Sequence, residues 1–443
     1  KKAEESFKFY KGDQWDKATK QTLMEQKRAA LTINHIEPVI NTLTGLEAQD
    51  KTDFEYLPIE GGDQAVADLL NHISKKISEN THLSEEETEV FRDQVIGGRG
   101  VYNVYVDYDK DIRGRLIIER YPWDQVVFGP HKKADLSDCE YLVKWKWYSK
   151  DKIKTLWPEK ADKMIVLPGD AESTTQTEEE SRTKLIEPMY DGIKKEYRVL
   201  ELWKKEFFKV YILVNDEESF VYNAGGWSDE DVEAVANMRG FRKIRRTYTR
   251  IRITQVTQGL LLSDEYPDLP VQEFHTIPQY AMFIDGDWWG KIESLKDVQR
   301  EINKRHSQLV DIVNRVSNFL KYYDSDTFEN TQDADEYERQ ASVPGAVIKV
   351  KDISKIPRSD DGIRFPSEMV QVYQLSAQKV REISLVNPEL MGQISNATSG
   401  QAMLQRKQAA INGNEFLTAS KKKSKRLLGQ LVAAYIKDLY DRD

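Results

Sequence analysis

The sequence predicts an α+β fold, and three observations carry that prediction. Apolar residues recur at helical spacing over two blocks, up to about residue 96 and again from Gly290 onward. Between those blocks, Val101 to Tyr108, Arg115 to Tyr121, Leu142 to Trp147 and Glu196 to Ile277 alternate or run as strands do. A polar, acidic stretch from Ile165 to Lys195 is too poor in apolar residues to bury itself and reads as a linker.

The totals narrow the function. With 443 residues, 31% charged and 39% hydrophobic, the chain holds two or three domains with real cores. The one cysteine, Cys139, rules out an intrachain disulfide and a thiol-rich metal site. No run reaches the roughly 18 apolar residues of a membrane span, and no signal segment opens the chain, so no membrane partner is expected. The chain opens at Lys1 and stops inside helical periodicity at Asp443, so both ends are expected to be trimmed. The 74 acidic residues exceed the 65 basic ones, giving −9, whereas a protein that wraps DNA tightly should be basic.

Taken in order, Trp15 to Arg28 and Leu31 to Gln49 are helix candidates, with Pro38 delaying the second. His35 and Glu37 stand two apart, which points them in different directions on a helix, so His35 is read as structural. Helices are expected at Asp63 to Asn80 and Ser84 to Ile96, the latter opened by a Ser84/Glu87 capping box. Gly97-Gly98-Arg99-Gly100 follows a helix rather than a strand, so it is a stop signal and not a phosphate loop. Asp107, Asp109 and Asp111 begin like a calcium loop, but Ile112 and Ile118 fill the glycine and glutamate places, which leaves a hairpin loop. Trp and Lys alternate from Lys144 to Trp147; rings inward and lysines outward is preferred to a base-stacking platform.

Beyond the linker, strands are expected at Glu196 to Asn215, Ser219 to Tyr222, Lys243 to Leu262 and Val271 to Ile277, with a helix at Ser228 to Met238. Arg246, Arg250 and Arg252 share one strand face. That face suits solvent, an acidic neighbouring subunit or DNA phosphate. Gly290-Lys291 fails as a nucleotide loop because Asp285 and Ile292 stand where glycine and serine or threonine are needed. The six histidines lack zinc spacing and no nucleophile elbow occurs, so no enzyme, cofactor or metal is expected.

From Gly290 to Leu320, apolar residues at 292, 295, 298, 302, 309, 313, 316 and 320 mark one helix face, and Lys296, Asp297, Arg300, Glu301, Lys304 and Arg305 mark the other. Such a helix would be roughly 45 Å long, which suggests neighbours outside its own chain. An acidic, turn-rich insert from Lys321 to Phe365 carries a strand at Ala346 to Val350. A second helix is expected from Pro366 to Val386, then a loop from Asn387 to Gly400, then a third helix opening at Gln401.

This helix, insert, helix, loop, helix order, with Asp297-Val298-Gln299-Arg300-Glu301-Ile302-Asn303 and Met391 to Ala402, resembles the portal proteins of short-tailed phages. Tyr10 to Trp15 and Asn34 to Asn41 resemble the amino-terminal part of the same family. The resemblance implies a wing at 1–287 with the polar linker near 165–195, stem helices at 288–320 and 367–386, a small α/β clip at 321–366, a tunnel loop at 387–399 and a long wing or crown helix at 400–443. It further implies a ring, commonly of twelve copies, at one capsid vertex of the virion, assembled in the host cytoplasm. Double-stranded DNA would be driven through by the terminase large subunit and later ejected. Major capsid, scaffolding and tail adaptor proteins are the other implied partners. Gln393, Ser395, Asn396 and Thr398 would line the channel, and Lys321, Asp324, Asp326, Asp333 and Asp335 would face the motor. The alternatives are a non-portal virion ring, such as an adaptor or baseplate, and a DNA-packaging enzyme subunit, which would need the nucleotide loop or metal carboxylates that were not found.

Overall fold

The computed structural model describes residues 1–49, 51, 53–58, 63–109, 111–161, 189–191, 194–215, 219–223, 229–257, 260–317, 321–322, 328, 331–340, 358–359, 367–386, 390 and 400–440. The chain is a mixture of helix and sheet. It opens with α1 (Lys2–Tyr10), α2 (Lys17–Glu25), α3 (Ile36–Gln49), α4 (Gln64–Asn80) and α5 (Leu83–Gly97). Then come β1 (Arg99–Asp107), β2 (Arg115–Arg120), β3 (Val126–Phe128), β4 (Tyr141–Ser149), α6 (Lys150–Leu156), α7 (Pro158–Ala161), β5 (Tyr190–Asp191), β6 (Glu196–Val214) and β7 (Ser219–Asn223). After α8 (Asp229–Arg239) the chain forms β8 (Arg242–Thr257), β9 (Leu260–Glu265), β10 (Thr276–Tyr280), β11 (Met282–Ile284), β12 (Asp287–Trp289) and a 3₁₀ turn at Lys291–Leu295. It closes with α9 (Lys296–Ser317), β13 (Lys321–Tyr322), α10 (Thr331–Gln340), β14 (Arg358–Ser359), α11 (Ser367–Ser384), α12 (Gly400–Gly413) and α13 (Glu415–Tyr440).

These elements divide into two compact units. The first is Lys1–Leu43 with Lys291–Gly413, and the second is Thr44–Gly290 with Asn414–Asp443. In the second unit a three-stranded antiparallel sheet, β10-β1-β2, separates two cores. Because strand side chains alternate, Tyr102 and Val104 turn to one side, where they meet Val90 of α5 and Leu428, Val432 and Ile436 of α13. Val101 turns to the other, against Tyr121, Leu142, Trp203 and Ile251. Each fully buried side chain of this kind contributes about 1.5–3 kcal/mol. The larger sheet runs β3-β4-β6-β8-β9, with β5 and β7 pairing opposite ends of β6.

Glycine sets how closely α5 meets its strand. Gly98 ends the helix at φ 97°, a conformation that L side chains rarely adopt. A Cβ on Gly100 would stand 2.0 Å from the Val90 carbonyl oxygen, and one on Gly290 would stand 2.5 Å from that of Ile96.

Several expectations need correction. The segment Lys2–Tyr10 is helical although its pattern was not read as such. Residues 31–34 are not helical, and α3 begins only at Ile36. Helix α5 starts one residue before Ser84 behind His82, and no capping box forms because Glu87 turns inward to lysines. The expected strand Lys243 to Leu262 is two strands, β8 and β9. Only the last residues of Val271 to Ile277 join a strand. The single long helix from Gly290 is a 3₁₀ turn plus a 22-residue α9, about 33 Å long. The acidic insert contains a helix, α10, and the helical span beyond Gly400 is two helices that meet at Asn414. The expected strand at 346–350 and residues 165–188 and 192–193 of the linker lie outside the described residues.

Candidate functional site

Within the first unit, α9 holds the chain that precedes α3. Oγ of Ser307, Oδ1 of Asn303 and Oε1 of Gln299 accept the backbone N–H groups of Leu31, Ile33 and His35 at 3.0, 2.9 and 3.1 Å. Gln299 Nε2 also donates to the Ile33 carbonyl at 2.6 Å. Asn303 Nδ2 donates to Gln14, whose own amide donates to the Phe9 carbonyl and to Asn34. The buried stripe of α9 is therefore largely polar: the amides Gln299 and Asn303 and the hydroxyl of Ser307 are buried beside Ile302. Lys296, expected on the wettable side, is buried too, paired with Glu5 at 2.8 Å and Glu293 at 2.6 Å. Burial holds the His35 imidazole below its ordinary range, with Arg381 adding to the effect, so it stays neutral and structural.

The same unit leaves large apolar side chains uncovered on α9, α11 and α12. Val313 is 47% exposed, Leu375 55% and Leu404 67%.

In the second unit α13 is rooted by charge. Lys421 and Lys425, one turn apart, point inward to Glu47 of α3 and Glu87 of α5; Lys425 and Glu87 stand 2.8 Å apart. All four side chains are buried. Burial pushes the Glu87 carboxyl above its usual range, with Lys425 and then Lys421 pulling it back. Deeper along the helix, the Tyr435 hydroxyl meets Nδ1 of His275 at 2.6 Å, while Nε2 faces the Val271 carbonyl at 3.1 Å. Burial lowers the His275 pKa to about 4, so the ring is neutral: Nε2–H donates and Nδ1 accepts.

A cavity of about 700 Å³ opens where the faces of the two sheets part. It corrects the expectation for the Trp–Lys strand, because Lys144 is buried and Lys146 is only half exposed. Lys144 lies 4.6 Å from the Trp203 ring centre, pairs with Glu201 at 3.1 Å and donates to Asn103. Lys146 pairs with Glu119 and lies within 6 Å of the Tyr105 and Tyr121 rings. Burial raises the Glu201 carboxyl, but Lys144, Trp203 and Gln255 more than offset that and hold it below the usual range.

The residues singled out in the sequence stand as follows. Gln393, Ser395, Asn396 and Thr398 lie outside the described residues, as do Asp324 and Asp326. Lys321 opens β13, which pairs with β14, and Asp333 and Asp335 lie on α10. Arg252 is committed within the chain to Asp264 at 2.5 Å and Glu206 at 3.3 Å. Arg250 donates to the Tyr266 carbonyl and stacks on that ring, and Arg246 is exposed. Asp107 and Asp111 accept backbone N–H groups two residues on, as turn carboxylates do. Among the described residues no His, Cys, Asp and Glu group could hold a metal, and no helix is long and apolar enough to cross a membrane.

Sequence comparison decides the family. The model of the phage P22-like portal protein family matches residues 1–443. The chain belongs to that family. It is also similar to the portal protein of Helicobacter pylori bacteriophage KHP30, 20% identical over 451 residues that take in 99% of this chain and 63% of that relative. The chain thus spans less than two thirds of that relative's length.

The polar features above fasten helices and straps. Sequence reasoning missed the run Lys421-Lys422-Lys423-Ser424-Lys425-Arg426. It is visible as a basic stretch, but only the four-residue spacing shows that Lys421 and Lys425 share a face and need buried acids. Glu47 and Glu87, more than 300 positions away, could not be matched to them by pattern.

Proposed function

We propose that this chain is the subunit of a portal ring at one capsid vertex, through which double-stranded DNA is packaged by the terminase motor and later ejected. The observation that carries the reading is the match to the portal family along the whole chain. The uncovered apolar faces of α9, α11 and α12 support it, because a closed ring buries such faces between neighbours. In this reading residues 1–287 form the wing, 288–320 and 367–386 the stem, 321–366 the clip, 387–399 the tunnel loop and 400–443 the returning helix of the wing or crown. Twelve copies, each at −9, make a channel wall that repels phosphate on balance. DNA must slide past that wall, and strong contacts would have to break at every step.

The clip, with Lys321, Asp324, Asp326, Asp333 and Asp335, meets the terminase large subunit first and tail adaptor proteins later. The wing meets the major capsid and scaffolding proteins while the head assembles in the host cytoplasm. Electron microscopy of the purified protein tests the reading. We expect end-on views with about twelve-fold symmetry and a bore wider than the roughly 20 Å duplex, since the major and minor grooves must both pass. A closed ring with no passage would overturn it in favour of an adaptor.

A further inference from the structure

We propose that the distal module of the second unit is a head-to-tail contact of the ring: the outward face of α8 on one copy seats on the arginine-bearing sheet face of β8 on the next. This rests on the ring reading above.

Strands β6 and β8 pair from Leu200↔Val256 to Val214↔Arg242. Their flanking strands leave the middle of that ribbon alone. Strand β4 reaches only Lys204, β9 only Ile253, and β7 joins only from Val210. Among the described residues, Glu206 to Lys209 with Thr247 to Arg250 is therefore a two-stranded neck. Beyond it, Tyr211 and Leu213 of β6 bury Val232 and Ala236 of α8, with Val235 and Phe241 packed alongside. Two strands alone are marginal in water, so this small core is what makes the module a body of its own.

Register assigns the two sides. Tyr211, Leu213, Lys243 and Arg245 share the side that α8 covers. Phe208, Val210, Ile212, Val214, Arg242, Ile244, Arg246 and Tyr248 take the other, where Val210 is buried and the arginines reach solvent. On that side Arg242 and Arg246 are exposed and Tyr248 is 43% exposed. The helix presents the matching chemistry outward. Glu230 and Glu233, three apart, lie on the exposed half of the helix, as does Met238, which is 88% exposed. Acid plus apolar on one side thus meets arginine plus apolar on the other. The two patches differ and lie on opposite sides of a thin module, so they cannot pair by a two-fold axis. They can pair only front to back, the heterologous arrangement that generates rings. Arg242 and Arg246 are accordingly assigned to a second copy of the chain, not to nucleic acid.

The test reverses each patch. One variant carries Glu230→Lys with Glu233→Lys, the other Arg242→Glu with Arg246→Glu, and thermal melting checks that both fold as the unaltered protein does. We expect each alone to lose about tenfold or more in ring yield at physiological salt, because like charges then face each other. Mixing the two in equal amounts puts opposite charges at every alternating contact, and rings should return. Rings from either variant alone at the unaltered yield would overturn the contact. So would a mixture that stays unassembled although both variants fold and the unaltered protein forms rings. If the unaltered protein forms no rings under any condition, the ring reading itself fails and the contact fails with it.

Discussion

Asn303 Oδ1 accepts the backbone N–H of Ile33 at 2.9 Å, as the middle rung of a ladder between a helix and an extended strap. The rungs step by four on α9 (307, 303, 299) and by two on the strap (31, 33, 35). Four helical residues rise about 6.0 Å and two extended residues about 6.6 Å, so the steps stay matched across three rungs. Helix side chains here replace a neighbouring strand, and the strap's N–H groups find the partners that burial demands.

Replacing Asn303 by leucine should therefore cost more than an ordinary hydrogen bond. The Ile33 N–H and the Gln14 side chain would both lose a buried partner. We expect a loss of about 2–4 kcal/mol, read as a lower urea midpoint. Hydrogen exchange at Ile33 and His35 should accelerate. Unchanged protection at those amides would mean that the ladder does not hold the strap.

The paired lysines of α13 give a second prediction. Removing Lys425 as Lys425→Met leaves Glu87 buried with only Lys421, at 3.9 Å. Breaking a buried pair from one side costs about 3–5 kcal/mol, mostly the penalty of the stranded charge. Adding Glu87→Gln should recover much of that loss, so the double variant should be more stable than Lys425→Met alone. A double variant less stable than either single one would show that the charges are not coupled as drawn.

His275 sets a pH dependence. Its folded pKa of about 4 lies below the ordinary histidine value, because burial disfavours the cation. A depressed pKa contributes stability that is present above about 6.5 and lost as pH falls towards 4. The difference of about 2.5 units corresponds to about 3 kcal/mol at most. Protonation would place a hydrogen on Nδ1, but the Tyr435 hydroxyl can turn to accept it, so the cost is one of desolvation. His275→Gln should flatten the decline in melting temperature between pH 6.5 and 4. An unchanged slope would assign that decline to other groups.

How much was legible in the sequence follows from which force each element obeys. Strands β1, β4 and β6 were visible because alternation is local, and the stop at Gly98 because glycine chemistry is local. The face of α9 was only half visible. Hydrophobicity marked Ile292, Leu295 and Ile302, but Gln299, Asn303 and Ser307 are buried for the backbone of a segment some 270 positions away. Lys144 was turned the wrong way for a similar reason. Its place inside depends on Glu201, Asn103 and Trp203, and none of them is near it in sequence. Buried polar groups are fixed by partners, so composition alone cannot place them. The segments named as tunnel loop and clip came from family resemblance, with no local pattern that would have named them.

The sliding channel yields the last prediction. If Gln393, Ser395, Asn396 and Thr398 line the bore, they touch phosphate oxygens as neutral groups, and each contact is weak enough to break as DNA advances. Gln393→Lys with Asn396→Lys would add two cations per subunit, and so a ring of charge-assisted contacts. Such contacts are roughly twice as strong as neutral ones and depend on salt. Packaging velocity should fall, and the deficit should shrink as ionic strength rises and screens the added charge. A lower velocity that ignored salt would point to altered loop shape instead of grip. An unchanged velocity would count against the idea that a neutral lining is what lets the duplex pass.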